Sequence, residues 1–414
     1  MGTMLDRKAV EALLGVCEPW RVKEIVVDKA AGEVVVRLDC GEATWADGTG
    51  VLHIHGWEKR RWRHLDMWQL KTVIEAEVPR LKNPRTGETT VARVPWAESS
   101  SRWTLLFEAH AIETMQATTT ITAAARLLRL NWGSADALMQ RAVKRGVQRR
   151  GALEVKTAGI DEKSFGSGQS YVSIMTDLAG ARLLEVVEGA DKDAVIKLWE
   201  TLPQQQRRKV EAAAMDRGAA MIAGTQAAVP EAVIVHDRFH ISQDQNKALD
   251  EVRRAENKRL MDEGDETLKG TKFIWLKGLE RQDDEAFASF ERLVKLNLKT
   301  ARAWELKATF EGFWDQPDAL KGRMFFQKWS KRALRSKLPQ FVRLARSLAG
   351  SLPRLLNYFN HRITNAMTEG FNSVVQHLKS AARGFRSFAS YRARILFFCG
   401  KLDLLPNTKS HAIP

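Results

Sequence analysis

Read for its apolar and polar positions, the chain changes period several times. "EIVVDKAAGEVVVRLDC" alternates around a glycine-containing turn and predicts two strands. From Ile121 the repeat turns helical. Ala124, Leu127 and Leu128 face Leu138, Met139 and Ala142 across a break at "NWGS". With Ser134 as N-cap this predicts a helix-turn-helix whose second, recognition helix covers 134–146. From about residue 155 three short strands follow, "VKTAGIDEKSF", "YVSIMTDL" and "ARLLEVVEG". A helix capped by Asp191, a strand ending in Asp216, a helix, the strand "EAVIVHDRF" and a long helix come next. That order predicts a mixed sheet with covering helices. Residues 265–355 are helical in pattern and rich in Lys, Arg and Trp, as expected of an all-α insertion. A last amphipathic stretch, "ITNAMTEGFNSVVQHLKSAARGFRSF", precedes a tail from Leu405 that is expected to fray.

The expected division is a β-rich N-terminal domain (1–108), a helix-turn-helix domain (109–150), a core in two parts (151–264 and 356–405) around the insertion (265–355), and a tail (406–414). The fold class is α/β.

Composition narrows the partners. The chain has 414 residues, 44% of them hydrophobic and 28% charged, which excludes global disorder. Its net charge is +15 and its pI near 9.8, favouring a polyanion, nucleic acid before anionic membrane. Cys17, Cys40 and Cys399 are too few and too scattered for a disulfide framework and fit a reducing cytoplasm. No Cys-x-x-Cys occurs. The first residues have no long apolar core, and runs such as "ILFF" fall far short of a membrane span. A cytoplasmic protein without membrane association is expected.

The chemistry is sought where charge interrupts these patterns. In the last helix Asn365, Glu369, Asn372, Gln376, Lys379 and Arg383 recur at steps of four and three and share one face, with Phe371, Val374, Val375 and Leu378 turned mostly toward a core. One stripe thus begins with amides around a carboxylate and ends in cations. Asp161 interrupts the first core strand and Asp216 ends the fourth; with Glu369 they form a trio able to hold Mg²⁺, which takes carboxylates, waters and phosphate oxygens. Asp177 and Asp237 fit the same description. His240 is either a donor near such a site or a structural hydrogen bonder. For DNA, the expected contacts are Lys59, Arg60, Arg61 and Arg63 among Trp57, Trp62 and Trp68, then Gln140, Arg141, Lys144 and Arg145 on the recognition helix, then Lys379, Arg383 and Arg386.

"GIDEKSF", "MDRGAAM", "VIVHDRFH", "RRAENKRL" and "HRITNAMTEGFNSVVQHLKSAARGFRSF" resemble, in order, the insertion-sequence transposases of the ISL-three family, as do "RRWRHLD" and "VPWAESSSRWTLLFE". The resemblance implies an RNase-H-like DDE core and DNA strand cleavage and transfer with Mg²⁺, or Mn²⁺ in its place. Its acidic residues fall on Asp161, Asp216 and Glu369. The implied partner is double-stranded DNA, transposon ends and target, bound by at least a homodimer in the synaptic complex of a bacterial, nucleoid-associated protein. The alternative is a retired, non-enzymatic DNA-binding descendant. The family's cysteine pairs are missing: "TWADGTGVLHIHG" and "PRLKNPRTGE" stand in their places, with Asn83 and Thr86 where the second pair would be. No structural zinc is therefore expected.

Overall fold

The computed structural model describes residues 6–407, apart from 48–49, 119, 152, 166–169, 278–281, 297, 383 and 386. It divides into two units, Met1–Arg150 with Leu402–Pro414, and Gly151–Lys401.

In the first unit α1 (Arg7–Leu14) precedes β1 (Trp20–Asp28), β2 (Glu33–Cys40), β3 (Trp45–Asp47), β4 (Gly50–Met67), β5 (Leu70–Lys82) and β6 (Thr89–Val91). The sheet runs β1-β2-β5-β4-β3, with β6 also paired to β5. The expected first hairpin is present, Asp28 opposite Glu33. The long β4–β5 hairpin turns through Trp68 and Gln69, both in the left-handed region (φ 47° and 69°), as a two-residue hairpin loop requires. Alternate residues Val34, Val36 and Leu38 are buried, together with Val10 and Leu14. Trp96 sits edge-on to both Trp20 and Trp62, at 5.0 and 5.5 Å between ring centroids.

Helices α2 (Leu105–Ala117), α3 (Ile121–Leu127) and α4 (Trp132–Arg149) follow. The apolar positions expected to face one another do so, except Leu127, which is exposed. Helix α4 is longer than 134–146 because Asn131, not Ser134, is its cap: the Asn131 side chain accepts from the Ser134 amide at 2.8 Å. The segment from Leu402 packs with this unit rather than with the core. At its start Leu404 is buried, and the carbonyls of Leu404 and Leu405 accept from Arg145 and Arg149, each at 2.5 Å; most of the tail expected to fray, 408–414, lies outside the described residues.

The second unit is built on a five-stranded sheet of order β11-β10-β7-β8-β9. Its strands are β7 (Thr157–Ser164), β8 (Tyr171–Asp177), β9 (Arg182–Glu188), β10 (Ala212–Met215) and β11 (Val233–His236), with α5 (Lys192–Glu200), α6 (Gln204–Arg207) and α7 (Ala219–Ala228) between them. Strands β7, β10 and β11 are parallel neighbours, and β8 is antiparallel to β7 and β9, so the sheet is mixed as expected. Asp191 caps α5 by accepting from the Ala194 amide. One sheet face, carrying Ala158, Ile160, Met175, Ala213, Met215 and Ile234, packs with Val195, Leu198, Trp199 and Met221. After α8 (Arg238–Asp262) come α9 (Lys272–Leu276), α10 (Asp284–Val294), α11 (Lys299–Glu311), α12 (Ala319–Arg335), α13 (Pro339–Gly350), α14 (Leu352–Leu356) and α15 (Tyr358–His361), around an aromatic core that includes Trp275, Phe310, Phe313, Trp329 and Phe341. The last elements are α16 (Ala366–Ala381) and α17 (Phe388–Cys399). Among the described residues no helix is long and apolar enough to cross a membrane.

Candidate active site

The opposite sheet face carries the site. Side chains alternate along a strand, so with Ala158 and Ile160 in the core, Gly159 and Asp161 point the other way. On β10 the same alternation leaves Ala212, Ala214 and Asp216 on that face; past β11 it leaves Asp237. The parallel pairings Ala214 with Gly159 and Met215 with His236, carried one or two residues further, set Asp161, Asp216 and Asp237 side by side across three neighbouring strands.

Helix α16 is seated over this face. A Cβ on Gly159 would come within 2.3 Å of Thr368 Oγ1, 2.4 Å of Asn365 Oδ1 and 2.6 Å of Thr176 Oγ1, so only glycine admits the helix at this depth. The Thr176 and Thr368 hydroxyls hydrogen-bond at 2.6 Å. Asn365 donates its side-chain amide to the Ile160 carbonyl (3.2 Å) and its backbone N–H to Asp237 Oδ1 (3.0 Å). Asn372 donates to Asp161 Oδ2 at 2.5 Å, while Asp161 Oδ1 accepts from the Glu162 amide at 2.8 Å.

These contacts revise the expected amphipathicity. The buried stripe of α16 is Thr368, Asn372, Val375 and Leu378, preceded by the fully buried Asn365, whereas Val374 is exposed. The amide end of the stripe read as a nucleic-acid track is the face docked on the sheet. The cationic end differs too: Lys379 donates to the Ser164 carbonyl at 3.1 Å, and Arg383 and Arg386 lie outside the described residues.

Among the described residues one group of three potential metal ligands converges. Asp161, His240 and Glu369 bring one ligand atom each within 4.8 Å of the others. Asp216 is not in that group; its Oδ1 accepts from the Gly218 amide at 2.6 Å, and its charge acts on Asp161 and Glu162. Burial pushes the Asp161 carboxyl above its ordinary range, against the hydrogen bond from the Glu162 amide. Glu369 and Glu162 are also raised, each first by burial and then by neighbouring carboxylates. Asp177 is set aside from this chemistry: its carboxylate is saturated by the Gly180 amide and Arg182.

The expected DNA contacts divide. Arg145 is buried, bound to Glu98, Glu108 and the Leu404 carbonyl, so the expectation of a phosphate contact does not hold for it. Arg141 is half-buried on Glu98 and Glu108, and Gln140 donates to Asp136 at 2.7 Å. Lys144 is exposed. Arg63 is likewise structural: it bonds the His64 and Thr72 carbonyls and Asp66 and lies over the Phe107 ring. Lys59 and Arg61 share the buried Glu75, and Arg60 pairs loosely with Glu58 at 3.7 Å. The Lys59 and Arg61 side chains are themselves 66% and 54% exposed, which leaves their outer faces open to a phosphate. Trp62 is core, while Trp57 and Trp68 are exposed.

Comparison with known proteins identifies the class. A family model described as "Transposase", the DDE domain of ISL3 elements, matches residues 158–395, and the helix-turn-helix domain of transposase family ISL3 matches 92–143. The chain is 22% identical over 397 residues to the transposase for insertion sequence element IS1001 of Bordetella parapertussis, covering 92% of this chain and 96% of that one. It is 25% identical over 401 residues to the transposase for IS1557 of Mycobacterium tuberculosis, covering 90% and 87%. Fold and matches together define a DDE transposase, a DNA-cleaving and DNA-joining enzyme. The chain belongs to the ISL3 family of insertion-sequence transposases.

One expectation is corrected by the same comparison. The family's zinc-finger model, that of the IS204, IS1001, IS1096 and IS1165 transposases, matches residues 47–82 and points to zinc binding in this region, against the expected absence of structural zinc. Missing cysteines misled because the relationship lies in the β4–β5 hairpin as a whole. The matched span offers His53, His55 and His64 but no thiolate, and the His64 Nδ1 is engaged with Thr104 Oγ1 at 2.9 Å.

Proposed function

We propose that this transposase binds the terminal inverted repeats of its element through the β-rich and helix-turn-helix modules, and cuts and joins DNA at Asp161, Asp216 and Glu369 with Mg²⁺, or Mn²⁺ in its place. On this reading the second unit is an RNase-H-like core, with the segment from α9 to α14 as an all-α insertion; the mixed five-stranded sheet with its covering helices supports it. The reading rests on a single observation: the alternation that buries Ile160, Met215 and Ile234 leaves three aspartates abreast on the face where α16 delivers Glu369.

The donor set fits a hard divalent cation, since carboxylate oxygens dominate it and the buried Asp237 Oδ2 has no hydrogen-bond partner among the described residues. Bound there, the cation supplies Lewis-acid charge to the scissile phosphate and its attacking oxygen. Asp161 is held in place by Asn372 and the Glu162 amide, and Asp216 by the Gly218 amide, so their oxygens are fixed before DNA arrives. In the first step water attacks the phosphodiester at the transposon end and the bond to the 3′ oxygen breaks, freeing a 3′-hydroxyl. That hydroxyl then attacks a target phosphodiester, forming one P–O bond as another breaks. Synapsis of two ends requires at least a homodimer on DNA.

Asp161→Asn, Asp216→Asn and Glu369→Gln test the assignment. Each is expected to bind terminal-repeat DNA like the wild type in a gel shift and to cleave it at background rate. Wild-type cleavage by Glu369→Gln would end the reading.

A further inference from the structure

The candidate site contains a nitrogen that the three-carboxylate reading does not use. Met215 pairs with His236 at the last rung between β10 and β11, and the chain then turns into α8 at Asp237. Asp237 caps α8 without a side-chain bond, because its Oδ1 is taken by the Asn365 amide from α16. His240 therefore stands in the first turn of α8, over the same sheet face. Its Nε2 is shielded from solvent yet makes no hydrogen bond among the described residues, and lies 3.5 Å from Glu369 Oε1. Asp237 Oδ2, on a residue 2% exposed, is also without a hydrogen-bond partner among the described residues, and its charge acts on Glu369. Each of these two unsatisfied polar atoms belongs to a neighbour of Glu369, and such atoms call for a partner.

The spacing suits a metal ion. Octahedral coordination at Mg²⁺-like bond lengths sets neighbouring ligand atoms about 3 Å apart and opposite ones about 4.2 Å apart. The ligand atoms of Asp161, His240 and Glu369 all lie within 4.8 Å of one another, and the Nε2–Oε1 separation is near that of adjacent ligands. Asp216 stands outside this group.

We propose that His240, through Nε2, is an inner-sphere ligand of one divalent cation together with Asp161 and Glu369, leaving Asp216 to a second position or to the outer shell. An imidazole among carboxylates makes the site mixed N/O in character. It then holds Mn²⁺ more tightly than Mg²⁺, since nitrogen ligands favour transition metals. The inference rests on the proposed metal role of Asp161 and Glu369.

The test uses the full chain, free of any histidine tag, with Mn²⁺ as probe. Binding is read from loss of the free-ion paramagnetic resonance signal, and ligation from ¹⁴N modulation of the electron spin echo. The wild type is expected to bind Mn²⁺ and to show imidazole ¹⁴N modulation. His240→Gln should lose the modulation and bind Mn²⁺ about tenfold more weakly, with less change for Mg²⁺. His240→Asn is the second variant, and circular dichroism confirms that each is folded. Mn²⁺ bound without ¹⁴N modulation, or modulation that persists in both variants, overturns the ligand and leaves the acidic site standing. No Mn²⁺ binding, or binding unaffected by Asp161→Asn and Glu369→Gln, overturns both.

Discussion

Arg145 lies on the helix expected to read DNA, yet its surroundings define it as a strut of the first unit. Arg145→Leu makes the difference measurable. The guanidinium donates to Glu98 at 3.0 and 3.1 Å, to the Leu404 carbonyl at 2.5 Å, and to Glu108. Glu108 is 0% exposed, so solvent cannot take over its solvation. Removing one partner of such a pair costs about 3–5 kcal/mol, because an uncompensated buried carboxylate remains. The half-exposed Glu98 adds about 1 kcal/mol at most. A solvent-facing cation would instead cost about 0.5 kcal/mol or less. Hydrogen exchange of the α2 and α4 amides reads the loss locally, without assuming two-state unfolding of a two-unit chain. The pH dependence has a definite sign. Burial already raises the Glu108 carboxyl against the pull of Arg145, and losing Arg145 raises it further. Its neutral form is then favoured in the folded state, so the variant's deficit is smallest in acid and grows as pH rises through the folded value. Arg145→Leu combined with Glu108→Leu should recover most of the loss. Unchanged α4 protection in Arg145→Leu, with DNA affinity reduced, would refute the structural role and restore the phosphate contact.

Three further outcomes follow from the packing. Gly159→Ala forces a methyl against Thr368, Asn365 and Thr176, and should destabilise the second unit by about 1–3 kcal/mol in hydrogen exchange while cutting end cleavage sharply. Asn372→Leu removes the donor to Asp161 Oδ2, and calorimetry should show divalent-cation affinity falling about tenfold with the fold intact. Trp62→Ala empties the ring contact with Trp96 and should cost about 3–5 kcal/mol, read as lost protection in β4 and β5.

The core strands were legible because burial on both faces writes them as short apolar runs between turns, and Asp161 inside β7 and Asp216 just past β10 broke those runs conspicuously. The position of Glu369 was legible from the residues around it. Asn372 and Asn365 were not: an amide on a helix reads as solvent-facing, and only the docked sheet reveals carbonyl and carboxylate partners for it. The signal available was their three- and four-residue spacing from Glu369. His240 was expected near the site but given no role in it, since its partners lie 79 and 129 positions away in the chain, at Asp161 and Glu369. Arg145 misled for the opposite reason, as a basic residue on a basic helix whose counterions arrive from Glu98 and Glu108 upstream. The expectation of no structural zinc failed because the module was read through its cysteines alone.

The glutamate of the site travels on the penultimate helix of its unit, and that helix enters through a gap left by Gly159. Synthesis therefore lays down the aspartate-bearing strands long before the residue that completes them emerges from the ribosome. On the proposed assignment, a nascent or prematurely terminated chain would carry the DNA-reading modules without the means to cut, and nuclease competence would be acquired only as α16 takes its seat.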